Sequence, residues 1–263
     1  MRLGKDMDLS VEILSKYNAL FENLPQQGKG SLKFGRSMVT VSAISGQYYC
    51  EKKLELEGKY PLPPTERMQT GTAGHEAATA FAEPVSKEEG MALAVEEREE
   101  ALPLFEFNIG WKHNDIPIIG KVDEAWFRNG NIDLVVERKF SNTLKAYRSY
   151  HIQAQLYCMG LGEMGFTTDP TAYRIVIFKR SCYDCEKLVD RSCPIFTVTN
   201  ADFQCNTGEV KALIYFYKKE EIVSDLEWAL GFWLGTREAI PTGIRAKCRA
   251  CDYKSICESS MVK

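Results

Sequence analysis

Between residues 103 and 140 the periodicity changes to two residues, in a segment rich in Ile, Val, Phe and Trp. It is interrupted only by HND at 113–115 and RNGN at 128–131. Such alternation bounded by turn residues predicts three consecutive antiparallel strands, and a sheet face of this kind needs other elements to cover it. Helical spacing flanks it: residues 8–24 carry Val11, Leu14, Tyr17, Leu20 and Phe21 on one stripe. Residues 42–57 predict a helix with Ser42 as N-cap, 72–81 a further one and 149–165 another. Strands are expected at 172–179 and 195–199, and a long helix over 207–239. Residues 25–37 read as a mobile Gly- and Lys-bearing loop, KYPLPPTE as a proline break and the acidic run 83–100 as a solvated face. The pattern is α/β, a small mixed sheet with helices, in which the two chain ends form a second lobe.

Composition excludes several alternatives. The chain has 263 residues, 44% hydrophobic and 26% charged, with a net charge of −3, which is incompatible with disordered or collagen-like classes. No apolar run reaches the roughly 18 residues of a membrane span, and the start, MRLGKDMDLSVEIL, has no apolar leader core. Nine cysteines without an export signal point to a reducing cytoplasm. A nucleic-acid partner would need a local basic patch, because net charge does not supply one.

Cys248, Cys251 and Cys257 form C-x2-C-x5-C. Two intervening residues let a pair of sulfurs turn toward one centre, and soft thiolates suit zinc or an iron–sulfur cluster, between which spacing does not decide. A fourth ligand must come from elsewhere, and Cys50, in the opening helical part, is the candidate. The competing reading is three unrelated surface thiols.

On the predicted hairpin, Glu137 and Lys139 share a strand face, being two residues apart. Asp123 lies on the preceding strand. A two-residue turn at Asn129-Gly130 would set Asp123 opposite Val136. A three-residue loop, Asn129-Gly130-Asn131, would set it opposite Glu137, about 5 Å away between Cβ atoms. Facing carboxylates need neutralising, and hard oxygens suit Mg²⁺ or Mn²⁺. The hairpin alone leaves both registers open.

Taken in order, Asp123, Glu137-x-Lys139 and Gln153-x-x-x-Tyr157 resemble the PD-(D/E)XK core of the RecB-like exonucleases. His75 in GTAGHE is similar to that group's upstream histidine motif, and Cys50 with the cysteine tail resembles its iron–sulfur branch, which includes the exonuclease of CRISPR spacer acquisition and stand-alone repair exonucleases. The likeness spans about residues 42 to 257, with Val122 where the motif's name has Pro. It implies a restriction-endonuclease-like sheet over 66–204, with an iron–sulfur lobe built from 1–65 and 205–263. It implies Mg²⁺ or Mn²⁺ held by His75, Asp123 and Glu137, assisted by a carbonyl near Arg138. Lys139 would position or activate water, and Gln153 and Tyr157, i and i+4 on one helical face, would orient the lysine or a phosphate. A 4Fe-4S cluster would sit on Cys50, Cys248, Cys251 and Cys257.

The implied activity is metal-dependent cleavage of single-stranded DNA ends, feeding a CRISPR integrase complex or acting in repair; the chain's small size and the lack of a helicase segment favour the former. Lys145, Arg148, Arg174, Lys179 and Arg180, with Lys29, Lys33 and Arg36 on the loop, supply a basic patch, and Tyr48, Tyr49, Tyr147 and Tyr150 could stack bases. Cys182, Cys185, Cys193 and Cys205 form a further group, reduced thiols or an additional Zn²⁺ site. The alternative class is a catalytically silent nucleic-acid scaffold with a structural cluster.

Overall fold

The structure is a computed structural model describing residues 3–23, 30–63, 86–182, 185–198 and 200–262. His75, Lys29 and the helix expected over 72–81 lie outside the described residues.

The alternating segment forms β2 (Leu102–His113), β3 (Ile116–Arg128) and β4 (Asn131–Phe140). Short β1 (Val39–Thr40), then β5 (Ala172–Phe178), β6 (Phe203–Gln204) and β7 (Val210–Phe216) complete one seven-stranded sheet. β2 runs antiparallel along one edge of β3, while β4 and the parallel β1 share its other edge. β4 and β5 are parallel, and β7 returns antiparallel between β5 and β6.

Among the described residues the helices of five or more residues are α1 (Leu3–Asn23), α2 (Val41–Gln47), α3 (Glu51–Lys59), α4 (Lys87–Val95), α5 (Arg148–Met164), α6 (Lys219–Trp233) and α7 (Arg245–Arg249). α5 is the crossover between parallel β4 and β5, a connection that lays the helix across one sheet face. That face, carrying Val122, Ala125, Phe127, Val135 and Ile175, buries against Leu156 and Leu161 of α5 and Leu226 of α6. The opposite face, with Leu134, Val136, Val176 and Phe178, is covered by the segment bearing Cys182, Cys193 and Ile195.

Several expectations are corrected. Residues 42–57 are two helices broken at 48–50, and Thr40, not Ser42, caps the first by accepting from Ala43 N at 3.1 Å. Of the strand expected over 195–199, the described residues 195–198 form none; Pro194 opens a 3₁₀ turn there. The pattern over 207–239 splits into β7 and α6, so a boundary at 205 falls ahead of a strand inside the sheet. The acidic run holds α4, whose Met91, Ala94 and Val95 are buried. The hairpin has the two-residue turn: Arg128 pairs with Asn131, with φ of 55° at Asn129 and 74° at Gly130, the left-handed pair such turns require.

Candidate active site and thiol cavity

After that turn the register would oppose Asp123 to Val136. A bulge intervenes: Phe127 pairs with Ile132 but Trp126 with Leu134, leaving Asp133 as the extra residue on β4. Beyond it Glu124 pairs with Val136, which brings Asp123 level with Glu137. Asp123 Oδ2 accepts a hydrogen bond from Arg138 N at 2.7 Å. The carboxylates thus meet by a different device from the three-residue loop.

The site lies on the α5 face of the sheet. Glu137 is 0% exposed and Asp123 8%. Glu137 Oε1 is in ion-pair contact with Lys139 Nζ, and among the described residues Oε2 has no hydrogen-bond partner. Burial pushes the Glu137 carboxyl up to about 8, against the Lys139 ammonium and reinforced by Asp123. For Lys139 burial works to lower the pKa, but the Glu137 and Asp123 carboxylates outweigh it and hold it above the ordinary lysine value. Lys139 Nζ donates to Gln153 Oε1 at 3.0 Å, and Gln153 Nε2 donates to the Tyr157 hydroxyl at 2.8 Å. Ser45 Oγ, from α2, donates to the same Gln153 Oε1 at 3.2 Å.

Asp123, Glu137, Lys139, Gln153 and Tyr157 are therefore brought together, while His75 lies outside the described residues. The reading from sequence had missed Ser45 and Gly120. A Cβ on Gly120 would stand 2.9 Å from Val41 Cγ2 and 3.1 Å from Tyr157 Cε1. Two adjoining buried carboxylates, one of them with an oxygen that has no partner among the described residues, are the donor chemistry a hard divalent cation fits.

Outside this network a cation–aromatic chain continues. Lys139 lies over the Tyr150 ring at 5.5 Å, Tyr150 meets Tyr147 edge-on at 5.5 Å, and Lys145 lies over Tyr147 at 5.8 Å. Arg148 lies over Tyr48 at 5.1 Å. Lys33 and Arg36 instead sit over Phe232 and Trp233 of α6, and Lys179 pairs with Glu209 at 3.6 Å. Arg174 leaves the patch altogether: it is buried on the opposite sheet face. Lys29 and the Arg180 side chain lie outside the described residues.

Cys50, Cys248, Cys251 and Cys257 line one cavity of about 370 Å³ between α3 and the C-terminal segment. Cys50 is the N-cap residue of α3, and its thiol makes no cap hydrogen bond. Lys52, Lys53 and Lys247 line the same cavity. Lys247 Nζ donates to the carbonyls of Tyr48 and Tyr49 at 3.3 and 3.0 Å, tying the tail to the α2–α3 break. Four thiols around one space are the donor chemistry of a cluster. The other group packs elsewhere: Cys182 and Cys193 are buried in the second core, with Cys185 and Cys205 against it. Cys205 Sγ accepts from the backbone N–H groups of Glu209 and Val210 at 3.1 and 3.2 Å. Among the described residues no three or more His, Cys, Asp or Glu side chains are gathered closely enough for a single ion.

The fold and site define a mixed α/β protein whose central sheet, flanked by helices, carries a paired-carboxylate centre on one face. No protein-family model matches the chain, and no curated protein matches it in sequence. Solved structures similar to it include SSO0001, 13% identical over 92% of this chain and 95% of that one, with a TM-score of 0.49. Another is a candidate exonuclease from Eubacterium rectale, 11% identical over 84% of this chain and 88% of that one, with a TM-score of 0.40. Among the described residues no helix is long and apolar enough to cross a membrane.

Proposed function

We propose that the chain is a metal-dependent deoxyribonuclease, an exonuclease acting on single-stranded DNA ends, with an iron–sulfur cluster in the lobe where its two ends meet. The observation that carries this reading is the bulge-set meeting of Asp123 and Glu137 beside Lys139, with Gln153 fixed to the lysine. Asp123 and Glu137, with His75, would hold Mg²⁺ or Mn²⁺, and such a cation when bound supplies Lewis acidity toward a phosphodiester. The ammonium of Lys139, steered by Gln153, offsets charge developing on the phosphate oxygens. Tyr157 and Ser45 fix Gln153, so the lysine is held before substrate arrives. The chain Lys139, Tyr150, Tyr147, Lys145 offers alternating stacking faces and cations for an unpaired strand.

Cys50, Cys248, Cys251 and Cys257 would hold a 4Fe-4S cluster: the four line one cavity, and the motif resemblance carries the choice of a cluster over zinc. An additional Zn²⁺ on Cys182, Cys185, Cys193 and Cys205 is a separate proposal, resting on their shared core and the N–H groups aimed at Cys205 Sγ. Processing of DNA for CRISPR spacer acquisition, with an integrase complex as partner and the cytoplasm as location, rests on the motif resemblance.

The test is digestion of 5′- and 3′-labelled single strands with Mg²⁺ or Mn²⁺. Wild-type protein should degrade them, chelation should stop it, and Glu137→Ala should abolish it. Undiminished digestion by Glu137→Ala overturns the assignment and leaves the scaffold reading. Metal analysis of anaerobically purified protein should find about four iron atoms per chain, lost in Cys248→Ser. Zinc persisting in that variant and lost in Cys193→Ser supports the second site, and its absence from wild type removes it.

A further inference from the structure

The sheet face opposite the carboxylates holds a small polar cavity, open on one side, that the nuclease reading does not use. It is lined by Arg138, Arg174 and Arg191, by Glu124, and by aromatic rings including Phe105 and Trp126. Period two on β4 puts Arg138 there while its neighbours Glu137 and Lys139 face α5. Arg174 reaches it from β5, where it pairs in register with Val136.

Both arginines are buried, with relative exposures of 3% and 2%. Arg138 Nη2 pairs with Glu124 Oε2, and Arg174 Nη1 donates to the Ile195 carbonyl at 3.0 Å. Among the described residues three guanidinium nitrogens have no hydrogen-bond partner: Arg138 Nη1, Arg174 Nε and Arg174 Nη2. Buried arginine nitrogens seldom go unpaired, since desolvation is not recovered without acceptors. Glu124 is committed to Arg138 and to Trp126 Nε1. Asp202, the other carboxylate in the field of Arg174, is exposed and accepts from Ile214 N at 2.9 Å. Arg191 stands exposed at the rim, its guanidinium over the Phe196 ring at 5.0 Å. Among the described residues that line the cavity, three arginines stand against one carboxylate, Glu124. The unmet donors lie in planar forks suited to an oxyanion with several acceptor oxygens.

We propose that this cavity is a binding site for the phosphate group of a small molecule, held by Arg138 and Arg174, with Arg191 closing over it. The site is independent of the nuclease reading, because none of its side chains belongs to the carboxylate centre. The aromatic lining leaves two sources for the group, free phosphate or a nucleotide whose base meets Trp126 or Phe105 at the open side of the cavity.

The test is calorimetric titration of the full chain, in chelator to silence metal-dependent binding, with inorganic phosphate and with adenosine 5′-monophosphate as separate probes. At least one should bind once per chain with sub-millimolar affinity and raise the unfolding midpoint. Arg174→Lys and Arg138→Lys should each weaken binding about tenfold or more, since lysine cannot reproduce the fork. Arg191→Gln, at an exposed position that does not threaten folding, should weaken it several-fold. Much tighter binding of the nucleotide identifies it as the source, and equal binding identifies the bare phosphate. No saturable binding of either probe at about 10 mM, or binding unchanged in Arg191→Gln and in whichever lysine variants fold, overturns the proposal.

Discussion

Gln153 is the residue through which the candidate site is oriented. Its Oε1 accepts from both Lys139 and Ser45, and its amide donates to Tyr157. Gln153→Leu would remove three contacts at once, leaving the Tyr157 hydroxyl without its donor and Lys139 without its steering partner while Ser45 Oγ keeps the Ser42 carbonyl at 3.0 Å, whereas Tyr157→Phe would leave only one amide hydrogen unmet. An unmet buried polar group costs about 1–3 kcal/mol, and about 1.4 kcal/mol is tenfold in rate. Gln153→Leu should therefore slow single-strand digestion roughly 10- to 100-fold, and Tyr157→Phe less than about tenfold. Single-turnover rates on a labelled oligonucleotide check the order, and a reversed order removes Gln153 as the positioning residue. Gly120 serves the same tyrosine by having no side chain. Gly120→Ala should destabilise the protein by about 1–3 kcal/mol, the usual cost of overpacking, as read from chemical unfolding. Strand spacing put Glu137 and Lys139 on one face and left the register of Asp123 open, while Gln153 and Tyr157 came only with the family resemblance. Ser45 and Gly120 were not legible, because their roles are contacts with elements distant in sequence, and spacing along one element carries no record of such contacts.

For the elements, legibility followed the strength of local periodicity. β2, β3 and β4 could be read because alternation and the Asn129-Gly130 turn agree. VKALIYF, at 210–216, is a short apolar run whose pattern fits a buried strand or a helix equally, and only pairing with β5 resolves it. IFTVT has strand composition, yet Pro194 and the cover over the second core hold it in a turn. The device that sets the hairpin register was not legible, because nothing in NIDLVV marks Asp133 as extra. The bulge gives a test. With Asp133 deleted, Ile132 would remain opposite Phe127 and Leu134 opposite Trp126 in an ordinary ladder, and Asp123 would stay level with Glu137. The deletion also removes the partly exposed Arg128–Asp133 ion pair, worth at most about 1 kcal/mol. Deletion of Asp133 should thus retain folding and digestion within about tenfold. Insertion of one glycine after Gly130 would slip the strand by one and turn Glu137 to the wrong face, abolishing digestion. Equal loss in both variants would show that the bulge does more than set register.

Over the whole molecule, the thiol cavity exists only because residues near 50 and near 250 are held together, and a buried polar cluster beside it does the holding. Arg237 donates to both oxygens of Glu51 at 2.7 and 2.6 Å, and Ile240 N donates to Glu51 Oε2 at 2.8 Å. Gln47 donates to Glu51 at 2.8 Å and accepts from Trp233 Nε1 at 2.8 Å. Glu51 is 1% exposed and Arg237 22%. Arg237→Ala strands a buried carboxylate, which costs about 3–5 kcal/mol in buried pairs, here toward the lower figure because Arg237 is partly wet. Burial raises the Glu51 pKa, but Arg237, Ile240 and Gln47 together outweigh it and hold the pKa below the ordinary carboxylate value of 4.5. A folded-state pKa below the unfolded one means stabilisation that is complete above about pH 4.5 and is lost as pH falls through the folded value. In Arg237→Ala burial is no longer outweighed by the guanidinium, so protonation relieves the stranded charge. Wild-type unfolding free energy should therefore decline on acidification below about pH 4.5 by more than that of Arg237→Ala, and the two curves should converge. Urea unfolding at several pH values, followed by far-ultraviolet circular dichroism, measures both curves. Parallel curves would mean that Glu51 does not fasten the tail, and that something else brings Cys248, Cys251 and Cys257 to Cys50.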